Sequence, residues 1–292
     1  NSIAQLRSVI DFNKDWKFYL GNDSTAKEPA YNDSKWRKLS LPHDWSIESN
    51  FIKDAPATNQ GGSLPGGIGW YRKTFVLPPS NFEKARGLEF DGFYHNVNIE
   101  FDGVYKNSEV WINGHYLGKR PNGYVSFSYD LTQYLLPAPK KNVIAVKVDN
   151  SQQPDSRWYS GSGIYRNVNL IVISKWFTKP AEFFVYSDKQ DGSRFKIFAE
   201  TKIFSLNKGL EVWAELYDSK GKFISRKQSV IGQSNEDNKF TFIYNIDKPD
   251  LWSPDRPILY KIVFKVFHSA VQLDEYETTL GIRYFDFDSA KG

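Results

Sequence analysis

The densest run of chemically competent side chains is Asp155-Ser156-Arg157-Trp158-Tyr159-Ser160-Gly161-Ser162-Gly163. Asp155, Arg157, Trp158 and Tyr159 bring together a carboxylate, a planar guanidinium fork and two aromatic faces. Such a set can hydrogen-bond hydroxyls and stack on the apolar face of a ring. A second run, Asn59–Trp70, holds Gly61, Gly62, Gly66, Gly67 and Gly69. Glycine lets the backbone approach a ligand or a partner surface closely.

Other reactive patterns are missing. The chain has no cysteine, which excludes disulfides, thiolate nucleophiles and Cys-based zinc sites. The four histidines, His43, His95, His115 and His268, lack the spacing of a zinc-binding HExxH. No GxSxG nucleophile elbow occurs. His43 lies in Pro42-His43-Asp44-Trp45, where Asp44 is placed to orient it, and it is expected to serve a structural turn. Asn235-Glu236 sits in the polar run Gln233–Asn238 and reads as a surface turn. Arg72 and Arg166, both in aromatic segments, are expected as buried ion-pair or hydrogen-bond partners. The expectation is therefore no catalytic residue, no metal site and no cofactor in these residues.

The elements that must position these side chains are β-strands. Apolar-alternating segments recur between Gly, Asn, Asp and Pro, and helical periodicity is almost absent. In the first part strands are expected at Trp16–Leu20, Trp70–Val76, Gly87–Phe90, Glu109–Ile112, Val125–Tyr129, Asn142–Val148 and Asn167–Ile173. Ile112-Asn113-Gly114-His115 predicts a hairpin, because Asn-Gly supplies the positive φ angles of a type I′ turn. Glu89–Asn96 is echoed by Glu100–Asn107, which suggests two similar hairpin edges or a lengthened loop. Ser174–Pro180 reads as a linker. Beyond it, strands are expected at Glu182–Tyr186, Phe195–Ile203, Glu211–Tyr217, Phe223–Val230, Phe240–Ile246, Tyr260–Phe267 and Tyr276–Gly281. That density suggests an immunoglobulin-like sandwich without its usual disulfide.

Composition agrees. A length of 292 residues allows two separate cores. Aromatic residues make up 16%, which argues against general disorder and suits packing or sugar stacking. The net charge of +4 is scattered, so no nucleic-acid partner is expected. No run approaches the ~18 apolar residues of a membrane span, so no membrane partner is expected either. Residues 1–9 are polar and mixed and show no signal peptide. With methionine wholly absent, the chain reads as a processed piece. The lack of cysteine fits an exported bacterial protein, periplasmic or extracellular.

Six segments in order resemble the family 2 glycoside hydrolases of β-galactosidase type. They are Phe12–Phe18, Leu41-Pro42-His43-Asp44-Trp45, Gly66–Phe75, Phe101–Gly114, Ser156–Arg166 and Gly281-Ile282-Arg283. The resemblance covers nearly the whole chain. It implies an all-β fold: a jelly-roll (galactose-binding-like) β-sandwich over residues 1–176, then an immunoglobulin-like β-sandwich over 177–281. Residues 282–292 would begin a linker into a (β/α)8 barrel carrying both catalytic glutamates. The implied activity is hydrolysis of terminal β-galactosides by a retaining exo-enzyme, in which this part is non-catalytic. β-Glucuronidase, β-mannosidase and a stand-alone carbohydrate-binding module are the alternatives.

The resemblance also implies that the runs around Asn59–Trp70 and Asp155–Gly163 reach the barrel mouth. There they contact the carbohydrate substrate or simply pack on the barrel. Asn59, Asp155, Arg157, Trp158 and Tyr159 are the candidate substrate-binding residues. Partners would be the carbohydrate, the chain's own C-terminal catalytic barrel and, in the full-length form, a homo-oligomer. Where some relatives place a substrate-binding Asp, this sequence has Arg157, with Asp155 two residues earlier.

Overall fold

The computed structural model describes residues 7–77, 96–173, 183–203, 209–230, 239–268 and 270–290. The expected strand Gly87–Phe90, the first repeat copy up to His95, the linker Ser174–Pro180 and the Asn235-Glu236 pair lie outside them. The described residues are almost all strand, turn and loop. Ser8–Val172 forms one compact unit, and the strands after Ile173 form another.

The first unit contains β1 (Arg7–Asp11), β2 (Trp16–Leu20), β3 (Arg37–Leu39), β4 (Gly67–Phe75), β5 (Asn96–Phe101), β6 (Ser108–Ile112), β7 (His115–Arg120), β8 (Phe127–Asp130), β9 (Asn142–Asn150) and β10 (Val168–Ile173). Two sheets result, with orders β1-β10-β5-β8 and β3-β2-β4-β9-β6-β7. This is a jelly-roll sandwich. Alternate residues of each strand turn inward, as the strand period requires. Phe18, Tyr71, Ile99, Phe101, Val146 and Leu170 are among those that meet in one core. The β6–β7 hairpin turns at Asn113 (φ 49°) and Gly114 (φ 83°), as the Asn-Gly pair predicted. Lys147, the polar residue in the apolar run of β9, is half-buried beside Glu109 at 3.6 Å.

The other face of the larger sheet is covered by residues 24–36, which include a short 3-10 turn at Ser24–Lys27. Ala26 and Trp36 pack there with Trp70, Trp111 and Ala145. Arg72 fastens this cover. It is 1% exposed; its Nε donates to Asp33 Oδ2 at 2.9 Å, and its guanidinium also donates to the carbonyls of Ala26 and Glu28. Lys17 donates to the other oxygen of Asp33 at 2.5 Å. Burial alone would raise the Asp33 pKa, but hydrogen bonds from Lys17 and Arg72 outweigh it and hold the carboxyl below its ordinary value. Arg166 does not share this role. It is exposed, with its guanidinium 5.7 Å from the Tyr165 ring centroid, because its side chain leaves the sandwich instead of entering it.

The second unit contains β11 (Phe184–Lys189), β12 (Arg194–Lys202), β13 (Leu210–Tyr217), β14 (Phe223–Val230), β15 (Lys239–Asp247), β16 (Tyr260–His268) and β17 (Val271–Leu280). The sheets run β11-β12-β15 and β14-β13-β16-β17, and all the pairings are antiparallel. Phe195, Ile197, Leu216, Phe242, Phe264 and Ile282 contribute to its core. Outside that core, Glu215 is 1% exposed and is held by Lys265, Arg226 and Tyr217.

Replacing Asp33 by Asn leaves the buried Arg72 charge without its counter-ion, a defect of about 3 kcal/mol. The depressed Asp33 carboxyl stabilises the fold above its unfolded pKa, and that contribution is lost as pH falls through the lower folded value. Urea unfolding should therefore show a large wild-type–Asp33→Asn gap at neutral pH that narrows in acid.

Candidate functional site

The two candidate loops meet at one end of the jelly roll, and a third segment joins them. Residues 41–46 run beside residues 162–164: His43 N–H donates to Ile164 O at 2.8 Å, and Trp45 N–H to Ser162 O at 3.1 Å. The Trp45 indole N–H reaches Gly66 O at 3.0 Å, and Ser46 Oγ donates to Pro65 O at 2.6 Å and lies 2.7 Å from Ser162 Oγ, from which it accepts. Asn150, the last residue of β9, donates to Gly161 O and Ser162 Oγ. The strand ends thus fix the loops through buried hydrogen bonds.

Asp44 is the hub. Its Oδ1 accepts from Ser46 N–H at 3.0 Å and Ser162 N–H at 2.9 Å; its Oδ2 accepts from Tyr159 Oη at 2.5 Å. Gly161 permits this approach. Its φ is +72°, and a Cβ there would lie 2.6 Å from Asp44 Oδ2. The Tyr159 phenol is pushed far above its ordinary pKa, first by burial and then by the Asp44 carboxylate it faces. It therefore remains a fixed donor at neutral pH.

Asp44 was expected to orient His43, and it does not. His43 Nδ1 lies 2.7 Å from Tyr71 Oη, and Nε2 lies 2.6 Å from Arg37. An arginine can only donate, so Nε2 accepts and Nδ1–H donates to Tyr71. Burial lowers the His43 pKa and outweighs the upward pull of Glu48. These partners come from β3 and β4, not from the neighbouring residue. The expected structural role of His43 stands, with different partners.

Between the loops lies a small open cleft whose walls include Ser46, Leu64, Asn150, Gln153, Trp158 and Tyr159. Hydroxyls, an amide pair, backbone and aromatic faces line it. Among the described lining residues there is no carboxylate, histidine, lysine or arginine. The arrangement can bind a neutral polar ligand but holds no acid/base pair.

Of the five candidate residues, Trp158 and Tyr159 line this cleft, whereas Asn59, Asp155 and Arg157 do not. Asn59 is exposed, and its carbonyl accepts from Gly62 N–H within its own turn. Asp155 Oδ2 accepts from Tyr105 Oη at 3.0 Å and from Lys106 Nζ. Burial would raise the Asp155 pKa, but these hydrogen bonds hold it below its ordinary value. Arg157 is exposed. Sequence reasoning missed Asp44, Ser46 and Asn150 as members of the site. Asp44 was visible in Pro42-His43-Asp44-Trp45, but its partner Tyr159 lies more than a hundred residues away. Among the described residues no group of three His, Cys, Asp or Glu could hold a metal ion.

Asp44→Ala should return the Tyr159 phenol toward its ordinary pKa, measurable by tyrosine 13Cζ shifts against pH with Tyr159→Phe for assignment. An unmoved Tyr159 titration would show that burial alone sets it.

The sequence model of the Glycosyl hydrolases family 2 sugar binding domain matches residues 10–174, and that of Glycosyl hydrolases family 2 matches 181–283. The chain is similar to the beta-galactosidase BoGH2A of Bacteroides ovatus, 41% identical over all of this chain and 33% of that protein. It is also similar to a beta-glucuronidase of Formosa agariphila, 31% identical over 98% of this chain and 30% of that protein. A crystal structure of a beta-glycosidase from Bacteroides vulgatus superposes with a TM-score of 0.82 at 40% identity, covering 96% of this chain and 34% of the other. The chain spans about a third of the length of these relatives. Its two sandwiches carry the family's motifs in the family's order, and the chain belongs to the glycosyl hydrolases family 2.

Proposed function

We propose that this chain forms the non-catalytic, sugar-facing part of a longer retaining exo-β-glycosidase acting on terminal β-galactosides. In that protein the cleft between residues 57–66 and 150–162 is one wall of the substrate pocket, and a (β/α)8 barrel supplies both catalytic carboxylates. The observation that carries the reading is the uncharged lining of the cleft. A retaining glycosidase needs two carboxyl groups about 5–5.5 Å apart, and the cleft offers neither. A neutral hexose needs hydroxyl, amide and aromatic partners, which it does offer. The absence of cysteine supports a periplasmic or extracellular location.

A uronic acid would call for a cation at the sugar. The nearest candidate along the chain is Arg157, which is exposed and precedes the cleft residue Trp158. This keeps β-glucuronidase as the second reading.

The test is a chimera in which this chain replaces the matching third of the Bacteroides ovatus relative. It should hydrolyse p-nitrophenyl β-galactoside, and Tyr159→Ala should raise KM by about tenfold with a smaller change in kcat. Preference for the β-glucuronide, abolished by Arg157→Ala, would favour the second reading. Release of p-nitrophenol by the 292-residue chain alone would overturn the non-catalytic assignment.

A further inference from the structure

At the edge of the cleft, two exposed aromatic side chains are held in place. Trp158 is 62% exposed and Tyr124 is 54% exposed. The Trp158 indole N–H donates to Tyr124 Oη at 3.3 Å, so the two rings are joined at their polar edges. Each is also anchored from behind. The Trp158 carbonyl accepts from Ser156 Oγ at 2.7 Å, and Ser156 and Ser160 hydroxyls meet at 2.9 Å. The Tyr124 N–H donates to Asn122 Oδ1 at 2.8 Å, and the preceding carbonyl, that of Gly123, accepts from Tyr165 Oη at 2.8 Å.

Beneath Tyr124 lies Tyr105, edge to face at 5.4 Å between centroids and 5% exposed. A Cβ on Gly123 would lie 2.1 Å from the Tyr105 ring, so only glycine lets this turn sit on it. Tyr105 is in turn fixed through Oη to Asp155. Its phenol is pushed up to about 12, chiefly by burial, and stays a donor. Asp155, one of the candidate substrate-binding residues, holds the ring that supports Tyr124.

Two large rings left in water gain little from burial, yet their rotamers are already restricted. Restriction before binding reduces the ordering penalty when a ligand arrives. Aromatic faces with polar edges suit ligands that present an apolar face ringed by hydroxyls. Trp158 also lines the cleft, whereas Tyr124 does not, so the pair forms a ledge leading outward from it.

Resting on the cleft reading above, we propose that Trp158 and Tyr124 form a second subsite that stacks the sugar next to the terminal one. The preferred ligand is thus a β-linked oligosaccharide. Tyr105 and Asp155 are its positioning residues.

The experiment titrates the 292-residue chain by calorimetry with methyl β-galactoside and with a galactose-terminated β-linked trisaccharide. The trisaccharide should bind about tenfold more tightly, the scale of one good aromatic contact. Tyr124→Ala and Trp158→Ala should each shrink that ratio by about fivefold or more, while Trp158→Phe, which keeps a stacking face, should restore most of it. Circular dichroism confirms that each variant is folded. Equal affinity for the two sugars, no detectable binding of either, or a ratio unmoved by Tyr124→Ala overturns the subsite. The cleft reading is judged separately by the chimera. An active chimera with no trisaccharide preference in the chain sinks the ledge alone, and an inactive chimera sinks the cleft reading whatever the ratio.

Discussion

One carboxylate ties together the end of the jelly roll. Asp44 accepts three hydrogen bonds, from Ser46, Ser162 and Tyr159, and so fastens two segments separated by more than a hundred residues. A half-buried carboxylate is tolerable only when its oxygens find donors. Here the donors are two backbone N–H groups and a phenol. Gly161 is part of the same device, since any side chain at that position would occupy the space of Oδ2. The shape of the cleft follows from this local satisfaction of charge.

Elsewhere in the unit, several charges are paired away from the cleft. Arg72 and Lys17 share Asp33, Arg37 meets Glu48, and Lys106 meets Asp155. Each pair fixes a loop or a cover segment to the sandwich. The cleft wall is left to serines, amides and two aromatic rings. Pairing and neutrality are therefore complementary: the ionised groups build the scaffold, and the surface they position carries no fixed charge of its own.

Much of the fold was legible because its signals are local. Alternation located Trp16–Leu20 and Phe223–Val230 to the residue, and Asn113-Gly114 located its hairpin. β5 escaped because Asn96-Val97-Asn98-Ile99-Glu100-Phe101 carries asparagines that disfavour strands, although Asn98 and Asn96 bond to each other. β1 and β3 are short and lie beside polar residues, so their pattern is weak. The candidate site was legible as loops but not as partners. Trp158 and Tyr159 stood out by type. Asp155 stood out equally and yet points its bond at Tyr105, because a carboxylate next to Lys106 and a buried phenol is satisfied inside the protein. No local pattern reveals which acceptor a distant donor will choose.

The neutrality of the wall has a further physical consequence under the proposed function. An acid/base pair of carboxyls works because its two environments push the pKa values apart. A fixed anion nearby would raise both, and a fixed cation would lower both. A wall of serines, amides and rings whose phenol is locked as a donor can hold a sugar without disturbing either value. The sandwich can then vary its ledge and loops to suit different sugars, while the electrostatics of bond cleavage stay in the hands of the carboxylates that perform it. Asp44 and Asp155 fit that division: neither lines the cleft, and each spends its charge on protein donors, Asp44 on Ser46, Ser162 and Tyr159 and Asp155 on Tyr105 and Lys106.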